Sequence, residues 1–182
     1  MRYIFSDSDL SICSKFAESV NALKANYRTT NNLNDNPHYL GKLGELVFSK
    51  QFNLPVNFDV SHSGDSGYDF QLGNITIDVK ATQYWKYPEL KEFVRETGKQ
   101  KPDVYVLVSI NLDECWGYLC GFMSSRKLEK IEPIQYRNLG LRRVATIVDM
   151  CKDWELLNNY AHSDKYADMK SLRFNNSKSA IN

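Results

Sequence analysis

The sequence predicts an α/β protein in which a mixed β-sheet is flanked by helices on both faces. Apolar residues recur at helical spacing between residues 38 and 52, which predicts an amphipathic helix. Two segments that alternate apolar and polar residues meet at Gly73-Asn74, a pair that favours a two-residue hairpin turn. The stretch from Asp103 to Ile110 is almost continuously apolar, which is typical of a strand buried on both faces. Helices that cover such a sheet give an α/β sandwich.

The elements before the hairpin follow from local patterns. A helix is predicted over residues 6–25, where a serine or aspartate can cap the first turn. An asparagine-rich loop follows over 26–37 and leads into the helix over about 38–52. Alternation of apolar and polar residues over 56–60 predicts a first strand, which the hairpin then extends into a sheet.

The elements after the hairpin complete the sandwich. Pro88 favours the start of a helix and Gly98 favours its end. The apolar strand follows, and alternation from Trp116 to Phe122 predicts its neighbour. A C-terminal strand and helix are predicted over 142–161, with a polar tail over 175–182.

The chain length fits one domain. A chain of 182 residues is long enough for one good core but short for two typical domains. We therefore expect residues 1–182 to form a single domain, with its core over about 38–123.

The hairpin places acidic side chains close together. If Gly73-Asn74 is the turn, Asp69 faces Asp78 across the two strands, with Cβ atoms roughly 5 Å apart. Lys80 lies two residues beyond Asp78 and therefore projects from the same face.

Opposed carboxylates repel each other unless something compensates. Mg²⁺ prefers such oxygen ligands, and a lysine beside it can orient a water or offset phosphate charge. These groups suit phosphodiester hydrolysis. The alternative is an ordinary solvated strand face on which Lys80 offsets Asp78.

The helix over 38–52 contributes a further candidate. Glu45 lies on the flank of the apolar arc of this helix, and a carboxylate at that position can point along the edge of the sheet. Gly41 and Gly44 are small enough to allow a close approach to a neighbouring element. Alternatively, Glu45 is a surface glutamate, as most helical glutamates are.

Three motifs together resemble the PD-(D/E)XK nuclease superfamily, which has the restriction-endonuclease-like fold. They are Gly-Lys-Leu-Gly-Glu45, the segment Gly64-Asp-Ser-Gly-Tyr-Asp69, and Ile77-Asp-Val-Lys-Ala-Thr82. The resemblance covers roughly residues 38–123, about half the chain. One position departs from the family pattern, because Tyr68 stands where the family name has proline.

The resemblance implies a fold, a reaction and roles for named residues. It implies an αβββαβ core and a metal-dependent nuclease, with Mg²⁺ as the ion and Mn²⁺ as a substitute. Asp69, Asp78 and the main-chain carbonyl of Val79 would hold the metal, Glu45 would complete its shell, and Lys80 would position or activate the attacking water. Such nucleases often pair to cut both strands, so a homodimer is expected by resemblance alone.

Contacts with nucleic acid must come from local clusters, because the net charge is only +1. The segment after Lys80 mixes basic and aromatic residues, and its candidate nucleic-acid contacts are Gln83, Tyr84, Lys86 and Lys91. DNA is the favoured substrate. Each basic cluster can equally be a solvated surface.

Other features bound the function more loosely. His62 and Asp65 precede the hairpin, where the histidine could add an acid or base, and the aspartate could bind metal or, more simply, favour a turn. No apolar run approaches a membrane span, the first residues lack a secretory pattern, and no Cys-x-x-Cys pair occurs, so we expect a cytoplasmic protein. The alternative function is a catalytically inactive module of the same fold that binds nucleic acid or a protein partner.

Overall fold

A computed structural model describes residues 2–23, 36–60, 67–94, 101–136 and 140–163. Its elements, in chain order, are β1 (Arg2–Ile4), α1 (Asp7–Leu23), α2 (Pro37–Phe52), β2 (Phe70–Leu72), β3 (Ile75–Thr82), β4 (Glu89–Phe93), β5 (Val104–Asn111), β6 (Trp116–Ser124), α3 (Ser125–Glu129), β7 (Ile134–Gln135), β8 (Leu141–Thr146) and α4 (Trp154–Ala161).

The main sheet has five strands in the order β1-β6-β5-β3-β2. Strands β3 and β5 run parallel, and the other neighbours in this sheet are antiparallel. Every residue of β5 from Val104 to Ile110 is buried, so the predicted two-sided burial of this strand is confirmed. Its apolar composition requires that both faces of the sheet be covered.

Helices cover one face of the main sheet. Asn36 caps α2, since its side-chain oxygen accepts the N–H groups of His38 and Tyr39, and Pro37 occupies the first turn. The helix lies close to β3 because Gly44 has no side chain: a Cβ there would lie 2.8 Å from Cβ of Ala81. Buried residues of α1 and α4 join the same hydrophobic cluster.

The opposite face is covered mainly by a second, smaller sheet. Strands β4, β8 and β7 pair in that order, and both pairings are antiparallel. Leu90 of β4 and Ala145 of β8 pack against Tyr105 and Leu107 of β5, and Leu128 of the five-residue helix α3 joins them. The expected helices on both faces are therefore replaced on this side by a small sheet with one short helix.

The predicted helix from Pro88 to Gly98 is wrong, because Glu89–Phe93 forms strand β4. Helical spacing would bury Leu90 and Phe93 together, but Leu90 is fully buried and Phe93 is 41% exposed. Pairing with β8 makes this segment a strand, and no local sequence pattern predicts that pairing. The αβββαβ core is thus not reproduced between β3 and β5 in the described residues.

The predicted strand over 56–60 is also not formed. Side chains there alternate between exposed and half-buried, as a strand would, but this segment has no strand partner among the described residues. Phe58 instead packs edge-on against Phe16 of α1, with ring centroids 6.2 Å apart.

Most other predicted elements are confirmed with shifted ends. The hairpin has the expected register, with Phe70 opposite Ile77 and Leu72 opposite Ile75, and Gly73 has a φ of 53°. The first helix is Asp7–Leu23 and the last strand and helix are Leu141–Thr146 and Trp154–Ala161. The tail over 175–182 lies outside the described residues.

All four cysteines are free thiols, with Cys13 and Cys120 buried. None of the helices in the described ranges is long and apolar enough to cross a membrane.

Two glycines of α2 provide a matched test of the packing. We expect Gly44→Ala to lower the free energy of unfolding by about 1 kcal/mol, since overpacking against Ala81 outweighs the gain in helix propensity. Gly41→Ala should raise it by roughly 0.5–1 kcal/mol, because a Cβ at Gly41 meets nothing within 4 Å. Urea unfolding of both variants measures this, and equal effects would contradict the close approach of α2 to β3.

Candidate functional site

Asp69 lies just before β2, at the point where β2 stops covering the edge of β3. Its main-chain N–H donates to the carbonyl oxygen of Ile77 at 2.8 Å. Its Oδ2 accepts the main-chain N–H of Val79 at 2.7 Å. The carboxylate therefore takes the place that a further residue of β2 would have had in the ladder.

This position differs from the expected one. The β2–β3 ladder ends at Phe70, so Asp69 and Asp78 do not form a regular cross-strand pair. The Asp69 carboxylate lies along the sheet edge, whereas Asp78 projects from the face that the small sheet covers. The two groups still interact, since the Asp78 charge raises the pKa of Asp69.

Asp78 and Lys80 form an ion pair on β3. Lys80 Nζ lies 2.5 Å from Oδ2 of Asp78, and the lysine side chain is 38% exposed while that of Asp78 is 15% exposed. The parallel register places Asp78 beside Tyr105 of β5, whose ring centroid is 5.9 Å from Lys80 Nζ. The amine is thus held between a carboxylate and an aromatic ring, yet remains accessible to solvent.

Glu45 approaches from the helical side and is held by a buried lysine. Lys42 Nζ lies 2.6 Å from Oε2 of Glu45 and donates to the carbonyl oxygen of Asn57 at 2.9 Å. The same amine lies 4.3 Å from the ring centroid of Phe16. Lys42 is only 7% exposed, so its contacts fix the helix, the segment before the hairpin and the Glu45 carboxylate to one another.

The Asp69 carboxyl group is strongly perturbed by its surroundings. Burial raises the pKa of its carboxyl group well above the usual value of 3.8, and the charges of Glu45 and Asp78 raise it further. The Val79 N–H and the Lys80 charge lower the pKa, but they do not offset the burial and the two carboxylates. Three acidic side chains therefore act on one another at the open edge of β3.

The main-chain carbonyl of Val79 belongs to the same edge. In a β-strand the N–H and the C=O of one residue point to the same side, and the Val79 N–H points to Asp69. The carbonyl and the Asp69 carboxylate thus lie on one side of β3.

The arrangement of these residues and their chemistry both bear on whether they can hold a metal ion. Within the described ranges, no group of three or more His, Cys, Asp or Glu side chains is already arranged to hold an ion. The chemistry does fit, because the unfavourable interaction of the Asp69 carboxylate with Glu45 and Asp78 is what a bound divalent cation would relieve. The contacts described above use Oδ2 of Asp69 and Oδ2 of Asp78. Each carboxylate has a second oxygen that can bind an ion.

A second polar network lies beside Asp78 between the two sheets. The Tyr105 hydroxyl donates to Oε1 of Glu92 at 2.7 Å, and Arg143 Nη1 lies 4.0 Å from Oε2 of Glu92. Burial, together with the hydrogen bond to Glu92, raises the pKa of Tyr105. This tyrosine therefore stays protonated near neutral pH, and its hydroxyl donates to Glu92.

The residues expected to contact nucleic acid leave the site toward β4. Gln83, Tyr84 and Lys86 are exposed, and Tyr84 donates its N–H to Oγ1 of Thr82. Lys86 lies over the ring of Trp85 at 5.3 Å. Lys91 is on β4, where it contacts Glu89 at 3.1 Å.

Sequence reasoning missed Lys42, Tyr105 and Glu92. A lysine three residues before Glu45 on a helix is a detectable signal for an ion pair, but its burial depends on Phe16 and Phe58 from distant segments. Nothing local links Tyr105 to Glu92. His62 and Asp65 lie outside the described residues.

No protein-family model matches this sequence. Searches of curated proteins and of solved structures likewise gave no significant match. The function must therefore be argued from the site itself.

The repulsion at Asp69 should appear in the pH dependence of stability. A native pKa above the unfolded value means that the folded state binds the proton more tightly, so stability falls as pH rises from about 3.8 through the native pKa. Asp69→Asn cannot ionise but can still accept the Val79 N–H. We expect this variant to lose that decline and to be more stable than the parent at pH 7.

Urea unfolding between pH 4 and pH 8 is the measurement, with the exposed Asp113→Asn as the matched control. An Asp69→Asn curve that parallels the parent curve would show that this carboxyl group is not destabilised.

The buried lysine should be a strong stability determinant. Lys42→Met keeps an unbranched chain but leaves Glu45 without its ion-pair partner and Asn57 without its donor. We expect the free energy of unfolding to fall by about 3 kcal/mol, as when one partner of a buried pair is removed. Lys42→Met combined with Glu45→Gln should recover part of that loss. Chemical denaturation measures both variants, and no recovery would mean that the pair itself is unimportant.

Proposed function

We propose that the chain is a metal-dependent nuclease that hydrolyses phosphodiester bonds, with DNA as its favoured substrate. The observation that supports this is the half-buried carboxyl group of Asp69, whose pKa is raised by burial and by the charges of Glu45 and Asp78, at a strand edge that also carries Lys80. Perturbed groups that converge from separate elements are typical of functional sites. A stable fold would otherwise have little reason to keep like charges together.

Each residue has a role in this proposal. Asp69, Asp78 and the Val79 carbonyl would hold Mg²⁺ or Mn²⁺, with Glu45 completing the shell. The bound ion would supply Lewis-acid polarisation of a phosphoryl oxygen and a lower pKa for the attacking water. A motif resembling that of the PD-(D/E)XK superfamily, Ile77-Asp-Val-Lys80, adds support, although the αβββαβ core of that fold is only partly matched.

Lys80 is the residue that would act on the water. Its amine pairs with Asp78 at 2.5 Å. The same amine can donate hydrogen bonds to a phosphate oxygen or to the attacking water. The exposed fraction of this side chain leaves access for a substrate from the solvent side. Tyr105, held by Glu92, keeps the far side of the lysine in place.

A second function deserves a test because of one observation. In the described residues the acids are already engaged by lysines, Asp78 by Lys80 and Glu45 by Lys42, and no preformed ion site exists. A catalytically inactive module that binds nucleic acid or a protein partner could keep such a network for stability. Metal binding distinguishes the two functions.

The enzymatic proposal predicts cleavage of plasmid, single-stranded DNA or RNA that requires Mg²⁺ or Mn²⁺ and stops with chelator. Lys80→Ala should reduce the rate about 100-fold or more, as the loss of proton-transfer help does. Lys101→Ala is the matched control, since Lys101 also pairs with a carboxylate, Glu129, at 2.6 Å. Metal-dependent cleavage at full rate in the Lys80 variant would refute the assigned mechanism.

Thermal melting gives the complementary readout. Millimolar Mn²⁺ should raise the melting temperature of the parent by mass action, and Asp78→Asn should abolish the shift while Glu129→Gln retains it. Absence of any shift in the parent would favour the inactive module. Light scattering on the same samples tests the proposed homodimer.

A further inference from the structure

The outer face of the small sheet is rich in aromatic and basic side chains. On β4, Leu90 and Glu92 project toward the main sheet, so Lys91 and Phe93 project outward. The antiparallel register places Arg142 of β8 opposite Phe93. Phe93 is exposed on this face, whereas Lys91 and Arg142 are half-buried.

Aromatic and basic side chains alternate across that face. The Arg142 guanidinium lies 3.7 Å from the ring centroid of Phe93 and 5.5 Å from that of Tyr136. The Lys91 amine lies 4.7 Å from the Tyr136 ring and 5.6 Å from the Tyr84 ring. We call these five residues, Tyr84, Lys91, Phe93, Tyr136 and Arg142, the stacking face.

The exposed aromatic residues of the described ranges lie on this face or beside it. Every exposed aromatic side chain in the described ranges belongs to this face or to the segment entering it: Tyr84 at 66%, Trp85 at 50%, Tyr87 at 83% and Phe93 at 41%. Exposed rings lose hydrophobic stabilisation, so a concentration of them marks a surface that contacts something.

The basic side chains of the stacking face stay charged near neutral pH. Burial acts against the charge of Lys91, but hydrogen bonds from its amine to Tyr136 and Glu89 outweigh that effect and raise its pKa. Arginine stays charged at all relevant pH values, and its planar group can itself stack on a base. The face therefore offers flat rings to bases and fixed cations to phosphates.

We infer that the stacking face binds single-stranded nucleic acid. Unpaired bases expose their faces for stacking, whereas the bases of a duplex are already stacked on each other. The alternation of rings and cations matches the alternation of bases and phosphates better than it matches an apolar protein surface. The inference deepens the proposed nuclease function by naming the substrate form.

The face is also connected to the candidate site. Tyr84 follows Lys80 by four residues, so their Cα atoms are at most roughly 14 Å apart, the span of two or three nucleotides. A strand that stacks on Tyr84 is thus led toward the edge of β3, where the carboxylates and Lys80 lie.

Binding is measured by fluorescence anisotropy of a labelled 15-nucleotide oligothymidine in chelator, with the same sequence as a duplex for comparison. We expect preference for the single strand and quenching of Trp85 fluorescence. Tyr84→Ala and Arg142→Ala should each weaken binding about tenfold, because one stacked base contributes that much. Tyr84→Phe keeps the ring and should bind as the parent does.

Matched controls lie on the other side of the molecule. Ile12→Ala and Lys15→Ala remove an exposed apolar and an exposed basic side chain from α1, and should leave binding unchanged. Circular dichroism and urea unfolding confirm that each variant is folded. The inference is overturned if the folded parent does not bind the oligonucleotide, which is the result expected of a protein-binding surface. Equal binding of duplex and single strand overturns it as well.

The design separates this inference from the proposed function. The binding assay contains chelator and can be repeated in Asp78→Asn, so it does not depend on cleavage. If the protein binds the oligonucleotide but cleaves nothing with any metal ion, the stacking face is supported and the nuclease function is refuted. Metal-dependent cleavage with unchanged oligonucleotide affinity in Tyr84→Ala and Arg142→Ala refutes the stacking face and keeps the nuclease.

Discussion

The two-sided burial of β5 is the constraint on which the rest of the structure depends. Residues Val104 to Ile110 are buried without interruption, and each such apolar side chain contributes roughly 1.5–3 kcal/mol when removed from water. One cover is the α1–α2–α4 layer, and the other is the β4–β8–β7 sheet with α3. Because β3 pairs in parallel with β5, the chain must leave the main sheet between them, and it forms β4 on the way.

This arrangement explains why charged groups meet at the edge of β3. Asp78 and Lys80 project toward the small sheet, while the helical layer brings Glu45 from the opposite side. Asp69 closes the gap because β2 has only three residues and stops short. Each charge has a local partner, yet burial and neighbouring carboxylates still raise the pKa of Asp69. The region therefore combines stabilising ion pairs with one destabilised carboxyl group.

Local patterns predicted the parts of the fold that local interactions determine. The Gly73-Asn74 turn and its register, the helix over about 38–52 and the buried β5 strand all follow from short segments. The β4 strand was not predicted, because it forms only through its pairing with β8, some fifty residues later in the chain. The alternating segment over 56–60 failed for the converse reason, since its pattern was strand-like but it found no partner among the described residues.

The site shows the same division. The sequence order of Glu45, Asp69, Asp78 and Lys80 indicated which side chains come together, and the pKa of Asp69 agrees that they are close. It could not show that Asp69 turns into the sheet edge, because that depends on where β2 ends. Nor could it show that Lys42 is buried, which requires rings from α1 and from the segment before the hairpin.

The bond from Val79 to Asp69 has one more consequence, which concerns self-association. A short edge strand leaves the next strand with unpaired main-chain groups that can recruit a foreign chain and seed aggregates. Here the Asp69 side chain occupies the Val79 N–H and introduces a polar carboxyl group that an incoming backbone would have to bury. The same aspartate thus acts as a gatekeeper, shielding the open margin of the sheet from intermolecular β-pairing.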